Sequence, residues 1–98
     1  MARVIRAPAA QADAIEIWAY IAEDNAHAAD RLLARFDQVI QKISLQPLIG
    51  KSADEIAQGI RFIPTGSYLI FYRVPADGIG IARILHGARD IGPDFFEQ

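Results

Sequence analysis

The stretch GIRFIPTGSYLIFYRVPADGIGIARILHGARDI, residues 59–91, consists of apolar runs separated by two short turn sequences. The turns are Pro64–Gly66 (PTG) and Pro75–Gly78 (PADG), and the second contains Asp-Gly, which is a strong signal for a β-hairpin. The apolar runs around the turns predict three strands, at Ile60–Ile63, Ser67–Val74 and Ile79–His86. Two successive hairpins predict an antiparallel, three-stranded meander.

A short strand and two helices are predicted ahead of the meander. Arg3–Pro8 (RVIRAP) alternates as a strand does, and Pro8 would end that strand and open a helix. Apolar residues then recur every three or four positions over 9–23 and again over 28–44. The repeating residues, which we expect in the core, are Ala10, Ala14, Ile17, Trp18 and Ile21 in the first helix and Ala29, Leu32, Phe36, Ile40 and Ile43 in the second.

The connections between these elements define the fold class. The short link at 24–27 makes the two helices an antiparallel αα-hairpin. Residues 47–59 form the longest loop, in which a brief helical turn is expected at Asp54–Gln58. The order strand, helix, helix, strand, strand, strand predicts an α+β fold with both helices on one face of a small antiparallel sheet. We expect residues 1–98 to form a single domain, because a chain of 98 residues has no room for a second one.

Both faces of the predicted meander are apolar. The strand Ser67–Val74 places leucine and phenylalanine on one side and isoleucine and tyrosine on the other. Two helices cover only one face, whereas an antiparallel sheet with a solvated side normally alternates more cleanly. We therefore expect the second face to meet either a partner protein or the C-terminal tail IGPDFFEQ, whose Phe95 and Phe96 would otherwise be exposed.

Composition excludes several kinds of site. The chain has no cysteine and two histidines, so disulfide chemistry is excluded and neither a metal nor a cofactor is expected. We find no signal-peptide pattern and no apolar run of the ~18 residues that a membrane span requires, so we expect a cytoplasmic protein without membrane contact. The net charge is −2, yet residues 59–89 hold four arginines against Asp77 alone. Arginine suits bidentate recognition of carboxylate or phosphate.

Two segments of the meander resemble the ParE branch of the RelE/ParE toxins. These are the strand Tyr68–Arg73 (YLIFYR) and the strand end Arg83–Asp90 (RILHGARD), which follow ADAIEIWAYIAED on the first helix. The resemblance implies a toxin encoded beside a ParD-like antitoxin, which binds DNA through an N-terminal ribbon-helix-helix segment and wraps the toxin with its C-terminal tail. It also implies that DNA gyrase is the target and that the toxin meets DNA only through its antitoxin. RelE relatives instead cleave mRNA on the ribosome.

The residues themselves favour a protein that is not an enzyme. RNA cleavage by 2′-OH attack needs a base, an acid and cations near the developing charge. RelE-type nucleases commonly place a catalytic arginine where this chain has Leu69, and no tyrosine follows Arg89. We therefore predict no catalytic residues. The alternatives are an antitoxin-binding co-repressor without toxicity, or a minimal ribonuclease built from Arg83, His86 and Arg89.

The candidate partner-binding residues are basic and aromatic: Arg61, Tyr72, Arg73, Arg83, His86, Arg89, Phe95 and Phe96. We expect the first three arginines to be cross-strand neighbours. Like charges opposite one another destabilise a sheet, so these arginines indicate an acidic partner, for which an acidic antitoxin tail is suitable. A solvated arginine ladder is the alternative. For His86, a structural hydrogen bond within the turn is favoured over catalysis, and Tyr72 is expected to pack in the sheet before it contacts a partner.

Overall fold

The computed structural model of the protein describes residues 3–97, which form two helices against a five-stranded sheet. The elements in chain order are β1 (Arg3–Arg6), α1 (Pro8–Ala22), α2 (Ala26–Leu45), β2 (Lys51–Ser52), β3 (Arg61–Thr65), β4 (Tyr68–Arg73), β5 (Gly78–His86) and a 3₁₀ turn, η1 (Pro93–Phe96). The spatial order of strands is β1-β5-β4-β3-β2. The predicted fold class is confirmed, with one difference: β1 pairs parallel to β5, so the sheet is mixed.

The helical hairpin forms where the sequence pattern places it. Pro8 occupies the first turn of α1, where its missing N–H costs nothing. Asn25 caps α2, since its side chain accepts a hydrogen bond of 3.0 Å from the N–H of Ala28. Residues 23–25 separate the two helices, and α1 and α2 lie side by side on the sheet.

The core on the helix face is built mainly by α2. Its predicted stripe supplies Phe36, Ile40 and Ile43, which pack on Ile70, Tyr72, Ile79, Ile81 and Ile84 of β4 and β5. The stripe of α1 is less deeply buried, with Ile17 and Ile21 half-buried. The prediction that Trp18 lies in the core is wrong. Its side chain is 37% exposed, and its indole N–H donates to Asp30 Oδ1 at 2.8 Å, which joins the two helices at the surface.

The second face of the sheet is covered by the chain itself. Residues 53–60 and η1 pack over Phe71 and Leu85, and the ring centroids of Phe71 and Phe96 lie 5.0 Å apart. Two covers were expected for this face, a partner protein or the C-terminal tail, and the structure shows the tail at the centre of the face. The brief helical turn expected at Asp54–Gln58 is reduced to a single 3.3 Å hydrogen bond from the Ala57 N–H to the Ala53 carbonyl. The segment otherwise forms turns, closed by a 2.7 Å hydrogen bond from the Gly59 N–H to Asp54.

Candidate functional site

Tyr72 does not face a partner, contrary to the prediction from the sequence. It is fully buried on the helix face of the sheet. Its hydroxyl donates to the Pro47 carbonyl and accepts from the Gly50 N–H, both at 2.8 Å. Tyr72 therefore anchors the loop after α2, because a buried phenol must find polar partners for its hydroxyl.

The predicted arginine ladder is wrong, because the three strand arginines are not opposite one another. Arg61 pairs with Tyr72, Arg73 with Gly80 and Arg83 with Phe71, and the pairing of β4 with β5 shifts by one residue between Phe71 and Tyr72. Such a bulge moves the following residues out of the expected register. Arg61 is held locally, because its guanidinium donates to the Gly50 carbonyl at 2.7 Å.

Arg83 has an acidic partner within the chain. Its Nε and Nη2 donate to the two oxygens of Asp13 at 2.8 and 2.7 Å, and Asp13 also accepts a 2.9 Å bond from the Ile84 N–H. The hydrogen bond with Asp13 raises the pKa of Arg83, although burial acts in the opposite direction. This ion pair fastens α1 to β5. The prediction that Arg83 awaits an acidic partner is therefore wrong.

The two tail phenylalanines differ in what they contact. Phe96 is buried against Phe71, so its predicted partner contact is wrong. Phe95 is half-buried, and the guanidinium groups of Arg83 and Arg89 lie 5.3 and 4.8 Å from its ring centroid. These cation–π contacts hold the tail beside the end of β5.

His86 stabilises the turn that ends β5. Its Nδ1 accepts a 3.0 Å hydrogen bond from the Ala88 N–H, and its ring meets Tyr68 edge to face at 5.2 Å. When neutral, the ring therefore carries its proton on Nε2. His86 and Arg89 line a groove of about 390 Å³ together with Glu16, Tyr20 and Tyr68. Burial, followed by the nearby Tyr20, raises the pKa of Tyr68.

The alternative catalytic set is only partly assembled. His86 and Arg89 share this groove, whereas the guanidinium of Arg83 is committed to Asp13. Leu69, at the position where a nuclease would place a cation, packs in the apolar cluster of the second face. Among residues 3–97 there is no group of three or more histidine, cysteine or acidic side chains that could hold a metal. None of the described helices has the length and apolar character needed to cross a membrane.

Arg73, like Arg61, has no acidic partner among residues 3–97. It is half-buried, and its one side-chain hydrogen bond within residues 3–97 is a 3.4 Å contact from Nε to the Gln58 carbonyl. Its neighbours across the sheet are Gly80 and, beyond it, Ile5, which together border a groove of about 370 Å³. Ile5 and Gly80 are not among the sequence-predicted site residues. Their signal in the sequence is weak: a glycine inside the strand Gly78–His86.

The topology of a helical hairpin on a five-stranded sheet places the chain in a known class of fold. It is shared with a solved chain described as "Chromosomal ParDE TA system from P. aeruginosa", with a TM-score of 0.74 and 18% identity over 88% of this chain and 96% of that one.

Sequence comparison identifies the family. The family model described as "ParE toxin of type II toxin-antitoxin system, parDE" matches residues 4–91. "Toxin ParE1" of Mycobacterium tuberculosis is 35% identical over 91 residues, which are 91% of this chain and 93% of that protein. "Toxin ParE3" of Caulobacter vibrioides is 26% identical over 92 residues, which are 93% and 92% of the two chains. The chain belongs to the ParE toxin family of type II toxin–antitoxin systems.

Proposed function

We propose that this toxin inhibits DNA gyrase by binding it and that a ParD-like antitoxin neutralises it. The observation that carries the proposal is the family match over residues 4–91, which spans both helices and the complete meander. The resemblance of the strands Tyr68–Arg73 and Arg83–Asp90 to the ParE branch supports gyrase as the target. No cofactor takes part in this function, and the toxin acts in the cytoplasm.

A binding mechanism without catalysis agrees with how the candidate residues are used. Arg83 is engaged by Asp13, and Nδ1 of His86 is engaged by the turn. A cation neutralised by its own carboxylate is a poor stabiliser of developing phosphorane charge. Arg73, Arg89, His86 and Phe95 remain accessible at the surface as partner contacts, since each is exposed or half-buried.

The proposed antitoxin has a ribbon-helix-helix N-terminus that binds DNA and a C-terminal tail that orders on the toxin. A disordered, acidic segment that folds on binding can follow a shallow surface that offers no closed pocket. The toxin then contacts DNA only through the antitoxin. The four arginines in residues 59–89 make the meander the more basic part of an otherwise acidic chain, which favours an acidic tail.

The test is to express the chain alone in bacteria and to assay the purified protein in gyrase supercoiling reactions. We expect filamentation, a DNA-damage response and loss of supercoiling, with protection by the antitoxin. The Arg31→Ala variant, changed on the exposed side of α2 and outside the candidate contacts, is the matched control and should inhibit as well as the parent chain. Normal supercoiling at an excess of toxin would refute gyrase as the target, and unimpaired growth would favour a co-repressor without toxicity.

The groove that holds His86 and Arg89 with Glu16 and Tyr20 favours a second candidate, a ribosome-dependent mRNA endonuclease. An imidazole beside a guanidinium and a carboxylate is a possible acid–base set. This candidate predicts rapid arrest of translation, with mRNA cleaved at codon-defined positions and cleavage abolished by His86→Ala. Intact transcripts in growth-arrested cells would dismiss it.

A further inference from the structure

Three residues form one row across the edge of the sheet on its second face. Ile5 of β1 lies beside Gly80 of β5, and Gly80 lies beside Arg73 of β4. Cross-strand partners point to the same side of a sheet, so Ile5 and Arg73 project on either side of a position that has no side chain. A Cβ atom added at Gly80 would meet no other atom within 4 Å. The row is therefore an open slot.

The slot is apolar apart from Arg73. Its walls include Ile5, Val74 and Ala82, and Ile5 is 54% exposed. Beyond Arg73, the groove continues into a second hollow of about 240 Å³ beside Pro8 and Phe95. The cover formed by residues 53–60 and η1 packs around Phe71 and Leu85, and none of the three residues of the row belongs to that cluster. This corner of the second face thus has exposed apolar surface, which marks interaction sites.

The charge of Arg73 indicates what the slot binds. Of the arginines of β3, β4 and β5, only Arg83 has a carboxylate partner among residues 3–97, namely Asp13. Arg61 is held by a short 2.7 Å hydrogen bond to a backbone carbonyl, whereas the corresponding bond of Arg73 is 3.4 Å long. Within residues 3–97, no carboxylate oxygen lies within 4.0 Å of Arg73. A half-buried guanidinium without a counter-charge favours a planar anion, and a carboxylate matches its fork with two parallel hydrogen bonds.

We propose that this slot binds an acidic, apolar segment of the antitoxin tail. An aliphatic side chain of that segment occupies the space above Gly80 between Ile5 and Val74, and an aspartate or glutamate two residues away pairs with Arg73. Adjacent strands lie about 5 Å apart, so the space above Gly80 lies about 5 Å from the backbone of Arg73. Residues two positions apart in an extended segment are about 7 Å apart, which places the acidic group within reach of the Arg73 side chain. The inference rests on the proposed neutralisation by an antitoxin and assigns it a position on the toxin.

The experiment measures the affinity of the full-length toxin for the protein encoded by the adjacent reading frame, by titration calorimetry. Gly80→Val fills the slot, and Gly92→Val is its matched control. Gly92 also has no atom within 4 Å of an added Cβ, has a negative φ and lines neither hollow. Arg73→Glu reverses the charge, and Arg31→Glu on the exposed side of α2 is its control. Thermal unfolding of each variant verifies that it folds.

We expect Gly80→Val and Arg73→Glu to weaken antitoxin binding by about 30-fold or more, because one loses the apolar contact and the other a largely desolvated charge pair. Both controls should stay within about twofold of the parent toxin. Peptides of 14 residues, tiled over the C-terminal half of the antitoxin, should identify the bound segment. Changing its acidic residue to lysine should restore binding to Arg73→Glu and weaken binding to the parent toxin.

The outcomes separate the two proposals. If the parent toxin does not bind the antitoxin, the proposed neutralisation fails. If it binds and both slot variants bind equally well, only the slot assignment is overturned. The assignment is also overturned if the slot variants lose gyrase inhibition but still bind the antitoxin, because the slot would then bind the target. It is overturned too if the variants change only self-association in sedimentation, because the slot would then bind a second copy of this chain.

Discussion

Replacing Asp13 with alanine removes the carboxylate that joins α1 to β5. Asp13 is 6% exposed and accepts three hydrogen bonds, two from the Arg83 guanidinium and one from the Ile84 N–H. Removing one member of a buried ion pair costs about 3 to 5 kcal/mol, because the other charge is left without compensation. The Arg83 side chain is 22% exposed, and water therefore screens part of its charge, so we expect the lower end of that range.

A loss of about 3 kcal/mol in the free energy of unfolding is measurable by urea denaturation. For a domain of this size, it lowers the melting temperature by about 12 to 24 °C. The matched control is Asp37→Ala, which breaks the surface pair with Arg6, whose two side chains are 42% and 60% exposed. An exposed pair contributes roughly 0 to 1 kcal/mol, so Asp37→Ala should change stability little.

The double variant Asp13→Leu/Arg83→Met tests the physical reason for the loss. It removes both charges together, so it should recover the part of the loss that comes from the uncompensated Arg83 charge, while the Ile84 N–H still lacks its acceptor. If Asp13→Ala and Asp37→Ala cost the same, the claim that the Asp13–Arg83 pair holds the helical hairpin on the sheet is refuted. A double variant less stable than Asp13→Ala would show that packing, rather than an uncompensated charge, explains the loss.

Three further predictions concern the tyrosines and His86. Tyr72→Phe should lower the free energy of unfolding, measured in urea, by about 2 kcal/mol, because the Pro47 carbonyl and the Gly50 N–H both lose their hydrogen bond to the hydroxyl. A change below about 0.5 kcal/mol would contradict this. The raised pKa of Tyr68 means that the folded state retains this proton longer than the unfolded state, so stability falls as the pH rises through the unfolded value near 10. Tyr68→Phe should remove a tyrosine transition that lies above the ordinary value near 10 from an absorbance titration at alkaline pH, and an unchanged titration would contradict the assignment. His86→Ala loses one hydrogen bond at an exposed turn and should cost about 1 kcal/mol or less in thermal unfolding, so a larger loss would mean that the turn depends on the ring.

The elements most accurately predicted from the sequence are those decided by local rules. The meander follows from alternation and from turn residues, and Pro8 marks the beginning of α1. The beginning of α2 was predicted less accurately, because the cap at Asn25 starts this helix at Ala26, two residues before the predicted start. The strand β2 was not predicted, because two residues, Lys51 and Ser52, carry no period. The parallel pairing of β1 also has no local signal, since it joins residues from opposite ends of the chain.

The site residues were harder to predict because their roles depend on distant partners. Asp13 and Arg83 are 70 residues apart in the sequence, so neither position reveals the ion pair. The irregularity between Phe71 and Tyr72 leaves Ala82 of β5 unpaired and changes which residues are opposite one another, and the nearest glycine, Gly80, does not fix its position. The alternating pattern predicted which face of the sheet Tyr72 lies on, but it could not predict that Tyr72 would be fully buried there.

The parallel pairing of β1 with β5 affects when the toxin becomes complete during its synthesis. The two helices of the hairpin are adjacent in the sequence, so they can contact each other early in synthesis. Arg3 of β1, by contrast, pairs with Gly78 of β5, so this edge of the sheet forms only after β5 has left the ribosome. Pairing across such a sequence distance is slow, because a large loop must be closed before any contact is gained. A nascent chain therefore has no finished sheet until β5 has been synthesised. The proposed antitoxin slot, which joins Ile5 of β1 to Gly80 of β5, likewise exists only after that pairing.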